Sequence, residues 1–302
     1  MLNSFYIIIN PVSGRGKGLR AQEVITNRLN EAGKEVSVIC TDRPQQELSL
    51  ARKAVQNGFR NIICVGGDGT LNEIVNGVFS QTDVNPTEIK LGVIPAGTGN
   101  DWCRHHNIKP DVEYALQTIL NGKTILHDIG IAAFENTQKH FINISGAGFE
   151  GYVAVQSNKS RKVFRGKFFY MIQILKYFFQ YSSTAMQLKF DGKIVDEKIF
   201  SAAVAICKYN GAGLMQAPQA VANDGMFDIT IIKDAPKMQL LACLPRMQDG
   251  SFIKNSNVQT FKTNRVSLSS TVNCFVDTDG ETGQSLPVTF SIMPNAMQMF
   301  VP

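Results

Sequence analysis

The sequence predicts an α/β fold of two domains, a doubly wound parallel sheet followed by a mainly antiparallel β-sandwich. In the first part of the chain, apolar runs of strand length alternate with amphipathic helical segments. Repeated β-α units of this kind form a parallel sheet that helices cover on both faces. After residues 121–128, short strands separated by tight turns take over. We therefore expect domains at residues 1–125 and 126–302, with the last residues of the chain packing back on the first domain.

The N-terminal elements follow one another with short connections. A first strand, "FYIIIN", leads through a Gly-rich loop into a helix that has Val24, Ile25 and Leu29 on one face. The strand "EVSVICT" is followed by the amphipathic helix "QQELSLARKAVQNG", which Gly58 closes as a C-cap. The strands "NIICV" and "IKLGVIP" each lead into another Gly-rich turn, and "DVEYALQTILNG" forms the last helix of this domain.

The C-terminal part reads as strands and hairpins. "HDIGIAAFENTQKHFINISGAG" predicts one hairpin, and "MQLKFDGKIVDEKIF" predicts another with Asp191 and Gly192 at its tip. Helical segments interrupt the strands at residues 163–180 and 237–248. Further strands are expected in "FSAAVAIC", "MFDITIIK", "RVSLSS", "VNCFVDTDG" and "LPVTFSIMP".

Composition narrows the functional class. The net charge of +5 is mild, so it suits anionic partners such as nucleotides or a membrane surface without calling for nucleic acid. Six scattered cysteines without a C-x-x-C pair argue against a disulfide framework and favour a reducing cytoplasm. No apolar run reaches the roughly 18–20 residues that span a bilayer. We expect a cytoplasmic protein whose contact with a membrane is peripheral.

Three Gly-rich turns lie at the carboxyl ends of predicted strands: "NPVSGRGKG", "GGDGTLN" and "PAGTGND". Open parallel sheets bind ligands at this edge, and helix N-termini with unhindered backbone N–H groups bind phosphate there. Asp68 stands among the glycines, where it can meet a metal or a proton. The first loop is not a Walker A motif, because Gly18 follows Lys17, and Leu19 breaks the dinucleotide-binding pattern.

The three turns, in this order and spacing, resemble the diacylglycerol kinase catalytic domain of soluble bacterial lipid kinases, a family that includes sphingosine and ceramide kinases. The later segments "APQAVANDGMFDITII" and "VDTDGETGQSLPV" are similar to motifs of the same family, so the resemblance covers nearly the whole chain. NAD kinases share the GGDG turn but not the later motifs. The resemblance implies a fold of the NAD kinase and phosphofructokinase type and a lipid kinase that uses ATP and Mg²⁺.

The resemblance also implies a nucleotide site and a metal site at its edge. Asp68 and Asp101 match acids of a metal–water network, and paired carboxylates suit Mg²⁺. Alone, Asp101 could equally cap the helix that follows it. The positions that match ATP-binding residues of the family are Asn10, Pro11, Val12, Ser13, Gly14, Thr41, Gly66, Gly67, Asp68, Gly69, Thr70, Leu71, Asn72 and Thr98.

Two later motifs carry the remaining implied residues. In "ANDGMFD", Asp224 matches a carboxylate that holds Mg²⁺, with Val221 and Met226 at the flanking backbone positions, although a plain turn would explain these residues as well. In "VDTDGETG", Glu281 matches the catalytic proton acceptor and Asp279 its neighbouring acid. Without the resemblance, these two acids would read as an ordinary exposed turn.

Three features receive a structural interpretation. The adjacent His105 and His106 have side chains that diverge on a helix, with no acid or cysteine at ligand spacing. The single tryptophan, Trp102, is expected to pack rather than to stack on a base. An apolar stripe at helical spacing is expected to pack on the core, while the basic cluster at residues 159–167 faces solvent or lipid. The stripe consists of Phe164, Phe168, Ile172, Leu175 and Phe179.

The expected reaction is transfer of the γ-phosphoryl group of ATP to a lipid hydroxyl, diacylglycerol giving phosphatidic acid being the first choice. One alternative is a kinase of the NAD kinase type with a water-soluble acceptor. Another is a module that binds ATP or lipid without turnover. No residue distinguishes diacylglycerol from other lipids, and the free edges of a β-rich domain could pair two copies in a homodimer.

Overall fold

The N-terminal half is a parallel sheet with helices around it. The computed structural model describes residues 3–160 and 167–302, without the side chains of residues 158–160, 167–171 and 282. The strands pair in the order β2-β1-β3-β4, and the two central ones, β1 and β3, are buried along their whole length because their side chains are almost all apolar. The doubly wound sheet is therefore confirmed. Its strands are β1 (Ser4–Ile9), β2 (Glu35–Cys40), β3 (Asn61–Gly66) and β4 (Lys90–Pro95), and its helices are α1 (Lys17–Glu31), α2 (Gln46–Gln56), α3 (Asp68–Phe79), α4 (Asp101–His105) and α5 (Val112–Asn121). Short 3-10 turns span Ser13–Arg15 and Pro86–Glu88.

The second half is mainly antiparallel, as predicted. Its strands are β5 (Thr124–Ala133), β6 (Gln138–Phe141), β7 (Ile144–Gly148), β8 (Thr184–Phe190), β9 (Lys193–Ala205), β10 (Tyr209–Asn210), β11 (Leu214–Met215), β12 (Phe227–Lys233), β13 (Val258–Thr263), β14 (Arg265–Ser269), β15 (Phe275–Thr278), β16 (Glu281–Ser285) and β17 (Val288–Phe300). Helices α6 (Phe149–Ser160), α7 (Lys167–Gln180) and α8 (Lys237–Leu241) and 3-10 turns at Pro245–Met247 and Ser251–Lys254 interrupt them. Helix α6 was not predicted, because its sequence has almost no amphipathic periodicity.

Strand pairing in the second half follows the predicted hairpins. Strands β5 and β6 form the first hairpin and β8 and β9 the second, whose tip residues Asp191 and Gly192 both have positive φ, as a two-residue turn requires. Phe141 of β6 contacts Phe227 of β12 and Phe290 of β17, with ring centroids 5.7 and 5.9 Å apart. These three fully buried rings belong to a hydrophobic core that continues into the parallel sheet.

Strand β17 joins the two halves. It runs antiparallel to β5 along most of its length, and near its end Gln298 and Met299 pair in parallel with Lys90 and Leu91 of β4. The two regions therefore share one hydrogen-bonded sheet. The division of the chain at residue 125 stays a prediction.

The apolar stripe on α7 does not pack as expected. Ile172, Leu175 and Phe179 are 48, 44 and 53 % exposed, so the prediction that they pack on the core is wrong. The opposite face of α7 is also aromatic, and it is this face, with Tyr177 and Phe178, that is buried. The face with Tyr177 and Phe178 therefore packs on the core, and the described side chains of the predicted stripe are exposed to solvent. Phe164, the side chain of Phe168 and the side chains of the basic cluster lie outside the described part of the chain.

No helix within the described residues is both long and apolar enough to cross a bilayer.

A buried carboxyl group lies where α6 meets β9. Glu150, in the first turn of α6, accepts a hydrogen bond from Ser201 Oγ on β9 and one of 3.3 Å from Gln216 Nε2, both at Oε1. Its other oxygen is buried and has no hydrogen-bond partner among residues 3–160 and 167–302. Burial raises the pKa of Glu150 to about 7.

Gly77 sets the distance between α2 and α3. A Cβ at this position would lie 2.3 Å from Leu48 O and 2.8 Å from Ala51 Cβ. We expect Gly77→Ala to lower the free energy of unfolding by about 1–3 kcal/mol, as overpacking does. Urea denaturation measures the change. The control is Gly69→Ala on the same helix, where a Cβ meets nothing within 4 Å and stability should hold or rise. If the two substitutions changed the free energy of unfolding equally, the close contact between α2 and α3 at Gly77 would be contradicted.

Glu150 makes stability depend on pH in a defined direction. Since its folded-state pKa lies above the ordinary value of 4.5, the folded state holds the extra proton, and stability falls as pH rises from about 4.5 to about 7. Glu150→Gln keeps the acceptor for Ser201 and cannot ionise. Relative to the wild type, the variant should gain about 1–3 kcal/mol between pH 5 and pH 8 in urea denaturation. A stability difference that stays constant with pH would show that Glu150 ionises as an ordinary exposed acid.

Candidate active site

The three Gly-rich loops meet at the carboxyl edge of the parallel sheet. Gly66 O accepts hydrogen bonds from Ala96 N at 2.8 Å and Gly97 N at 3.1 Å. A Cβ at Gly97 would lie 2.4 Å from Gly67 Cα, and one at Gly14, whose φ is +54°, would lie 2.0 Å from Ala96 O. Only glycine fits at these contacts, so the loops form one continuous backbone surface of the kind that binds phosphates.

Asn10 connects the first loop to two helices. Its Nδ2 donates to Glu47 Oε1 on α2 at 3.0 Å and to Thr70 Oγ1 on α3 at 3.1 Å. Its Oδ1 accepts from Val12 N at 3.2 Å. Thr41, just after β2, is buried, and its N donates to Ile9 O at 2.9 Å. These contacts hold the first loop in place.

The residues expected at the nucleotide differ in which atoms they present. The side chains of Val12 and Thr98 are exposed at the edge of the loops, whereas those of Thr70, Leu71 and Asn72 are buried. The side chains of these three therefore lie beneath the loop surface, and Leu71 N already donates to Gly67 O at 3.0 Å. The assignment of the nucleotide-binding residues stays a prediction.

Asp68 and Asp101 lie on either side of the third loop. Asp68, the first residue of α3, accepts a hydrogen bond from Trp102 N at 3.1 Å. A Cβ at Gly99 would lie 2.9 Å from Asp68 Oδ2 and 3.4 Å from Asp101 Oδ2, so both carboxylates approach the same backbone position. Burial, with the charge of Asp68, raises the pKa of Asp101 to about 6.

Asp101 is not the helix cap that its position allows. The N-cap of α4 is Asn100, and Asp101 Oδ2 instead accepts from Ala212 N at 2.8 Å in the second domain. Its Oδ1 is buried and lacks a hydrogen-bond donor among the described residues, with Arg104 Nε at 3.7 Å. An unpaired carboxylate oxygen beside a second carboxylate fits a hard divalent cation such as Mg²⁺.

Asp279 is buried and ties three segments together. Its Oδ2 accepts from Asn72 Nδ2 at 2.9 Å and Ile142 N at 2.8 Å, and its Oδ1 accepts from Asn143 N at 3.1 Å and Ile144 N at 2.9 Å. With φ at +50°, it makes the turn between β15 and β16. The exposed-turn interpretation is therefore wrong for Asp279. Burial raises its pKa to about 6, and the four hydrogen bonds limit the rise.

Glu281 begins β16, two residues after this anchor, and is half-buried. It interacts electrostatically with Glu73 on α3: burial first, then the charge of Glu281, raises the pKa of Glu73. Behind it, burial raises the pKa of Asp277 well above its usual range, and the charge of Asp279 raises it further. Glu281 thus lies close enough to α3, the helix that Asp68 begins, for its charge to act on Glu73.

The turn at Asp224 is closed by protein groups. Asp224 Oδ1 accepts from Met226 N at 3.0 Å, and Oδ2 pairs with Lys262 Nζ at 2.8 Å. Lys262 also lies 3.3 Å from Asp228 Oδ2. A divalent ion at Asp224 would have to displace this ammonium group, so the residues as arranged do not fit a metal and we assign no catalytic step to it. The assignment of Val221, Asp224 and Met226 as metal ligands stays a prediction.

Sequence reasoning missed several residues of the site. Glu73 ends the motif "GGDGTLNE" and could have been noticed there. Glu47 lies within an ordinary amphipathic helix, and Ala212 contributes a backbone N–H, so neither carries a signal in the sequence.

Comparison with known proteins identifies both halves of the chain. Residues 4–132 match the diacylglycerol kinase catalytic domain, and residues 143–301 match the YegS C-terminal NAD kinase beta sandwich-like domain. Both matches agree with the family that the motifs predicted.

Whole-chain relatives and solved structures agree. A diacylglycerol kinase of Bacillus subtilis (strain 168) is 31% identical over 285 residues, 94% of this chain and 91% of that protein. A diacylglycerol kinase of Staphylococcus carnosus (strain TM300) is 28% identical over 296 residues, which cover 98% of this chain and 94% of that protein. A diacylglycerol kinase structure from Bacillus anthracis str. Sterne has a TM-score of 0.75 at 20% identity, covering 99% of this chain and 97% of that one, and supports the fold alone. The chain belongs to the diacylglycerol kinase family and is a kinase that acts on an alcohol acceptor.

Proposed function

We propose that the protein transfers the γ-phosphoryl group of ATP to a hydroxyl of diacylglycerol and so makes phosphatidic acid. The relatives named diacylglycerol kinase support this substrate. The observation that carries the proposal is that Asp279 hydrogen-bonds to Asn72 on α3 and so joins the turn that carries Glu281 to the helix that begins with Asp68. In this proposal, a base for the acceptor hydroxyl and an acid beside the nucleotide phosphates are both tied to α3.

The chain's own groups bind and orient the nucleotide. Backbone N–H groups of the three loops and the N-terminus of α3 would bind its phosphates. Asp68 and Asp101 would hold Mg²⁺, which neutralises phosphate charge when bound. Arg104, exposed and 3.7 Å from Asp101, adds positive charge at the same edge.

Glu281 serves as the proton acceptor in this proposal. The lipid hydroxyl oxygen forms a bond to the γ-phosphorus, the bond from that phosphorus to the bridging oxygen of ADP breaks, and Glu281 takes the hydroxyl proton. Asp279 acts as a positioning residue, because both of its oxygens are already hydrogen-bonded.

The lipid substrate places the protein at a membrane surface, and α7 offers an apolar patch for peripheral contact. Ile172, Leu175 and Phe179 are exposed on one face of α7, and Met238 at the start of α8 is 69 % exposed. Lys237 Nζ donates to Phe178 O at 2.9 Å, which brings the start of α8 to this end of α7. The cytoplasmic location, the homodimer and the lack of a nucleic-acid partner stay predictions.

Glu281→Gln tests the chemistry. We expect the transfer of labelled phosphate from ATP to diacylglycerol in mixed micelles to fall by a factor of about 100 or more, because the base is lost. Binding of ATP should not change, and EDTA should abolish the wild-type transfer. Glu135→Gln, at an exposed carboxylate between β5 and β6, is the control and should keep full activity.

The same assay separates the alternatives. If the wild type transfers phosphate to a water-soluble acceptor without micelles, the substrate is a soluble alcohol and not a lipid. Tight ATP binding without any transfer would mark a non-catalytic module. Full activity of Glu281→Gln would remove Glu281 from its role.

Leu175→Glu tests the membrane patch. Each exposed aliphatic side chain buried in lipid contributes about 1.5–3 kcal/mol, so the change should weaken co-sedimentation with phosphatidylglycerol vesicles by about tenfold or more. The matched control is Ile194→Glu, since Ile194 is 62 % exposed on the distant β8–β9 hairpin. If both variants bind vesicles like the wild type, α7 does not face the membrane.

A further inference from the structure

Three soft metal ligands come together at the end of α4, on the side away from Asp101. His105 is the last residue of α4, His106 is its C-cap, and Cys207 follows β9. Their potential ligand atoms all lie within 4.8 Å of one another. The structural interpretation of the two histidines depends on the lack of a cysteine at ligand spacing in the sequence. Folding supplies Cys207, which lies just after β9 and 101 positions beyond His106.

The hydrogen bonding around the cluster leaves one ligand atom, His106 Nε2, without a partner. It is buried and has no hydrogen-bond partner within the part of the chain that the structure describes. Cys207 Sγ makes two long contacts, one of 3.5 Å to Ile142 O and one of 3.7 Å to His127 Nε2, which a metal would replace. His105 Nδ1 accepts from Lys208 N at 3.1 Å, so its lone pair already points toward the residue next to Cys207.

The neighbouring His127 is not a fourth ligand. Its Nδ1 lies 2.6 Å from Asp128 O, and its Nε2 accepts from Trp102 Nε1 at 3.2 Å and lies 3.7 Å from Cys207 Sγ. Both ring nitrogens are thus in use. His127 and Trp102 instead form a buried wall behind the cluster, with the Trp102 and His106 ring centroids 4.3 Å apart.

The chemistry of the cluster selects the kind of ion. One thiolate and two imidazoles favour Zn²⁺ or Cu⁺ over Mg²⁺, which prefers oxygen ligands. Each imidazole would bind through an unprotonated ring nitrogen, and Cys207 through its thiolate. Three protein ligands leave one position of a tetrahedral ion for water.

We propose that His105, His106 and Cys207 form a binding site for a thiophilic transition-metal ion such as Zn²⁺. On binding, the thiol of Cys207 releases its proton to solvent as the metal–sulfur bond forms. His105 Nδ1 exchanges its hydrogen bond from Lys208 N for the metal. Because the two histidines are only half-buried whereas Cys207 is fully buried, the ion would enter from the histidine side. It would fasten the end of α4 to the segment after β9.

Co²⁺ is the spectroscopic probe that tests this site. The full-length protein, stripped with EDTA and kept reduced, is titrated with CoCl₂. We expect a sulfur-to-cobalt charge-transfer band and tetrahedral ligand-field bands that saturate at one equivalent, and loss of both on adding Zn²⁺. Cobalt bound at Asp68 and Asp101 would have oxygen ligands and give no sulfur band.

Variants assign the bands. Cys207→Ser should lose the sulfur band. His106→Gln should weaken cobalt binding by at least about 10- to 100-fold, because in other metal sites this factor is lost when only the hydrogen-bond partner of a ligand is removed. Cys103→Ser is the control, since Cys103 is an equally buried cysteine on the same helix and should keep the band. A wild-type protein without the sulfur band, or a band that survives in Cys207→Ser, would overturn the proposal and leave the cluster as packing only.

Discussion

The carboxylate of Asp279 is the contact on which the site depends. It is buried, and its four hydrogen bonds reach α3 and the start of β7 from the turn that presents Glu281. A carboxylate oxygen accepts two bonds at once, so one side chain can fix three chain segments of distant sequence position. Removing it would strand one side-chain donor and three backbone N–H groups in a dry environment, which is costly.

A second constraint is the close approach of backbone to backbone in the Gly-rich loops. Gly67 and Gly97 lie too near each other for a Cβ on either loop, and Gly14 packs against Ala96 in the same way. The loops thereby form a surface of amide groups with little side-chain cover, bordered by Asp68 and Asp101. Burial, and after it the charge of Asp68, raises the pKa of Asp101, and a cation between the two carboxylates would favour their ionised forms.

The sequence predicts the scaffold well because periodicity and turn chemistry are local. The alternation of strands and helices, the hairpin at Asp191–Gly192 and the Gly-rich turns all follow from neighbouring residues. Contacts between distant residues leave no such pattern: Asn72 to Asp279 spans 207 positions, and Cys207 reaches the histidines of α4 only through folding. The prediction that the apolar stripe of α7 packs on the core is wrong for a related reason. Helix α7 has two apolar faces, and only one of them can pack on the core. Which face is buried depends on the residues that pack against the helix, and the sequence of the helix alone does not contain this information.

The strand shared by the two halves has a consequence for the order in which the protein is made. Among the described residues, the outer edge of β4 pairs only with residues 298–299 of β17, which a ribosome adds about 200 positions after β4. Until then the nascent parallel sheet carries an open edge of unpaired backbone groups, the kind of edge that invites pairing with other chains. The exposed interval is long, so during synthesis this protein would benefit from whatever shields β4, and its yield in a cell would depend on how quickly β17 reaches its place.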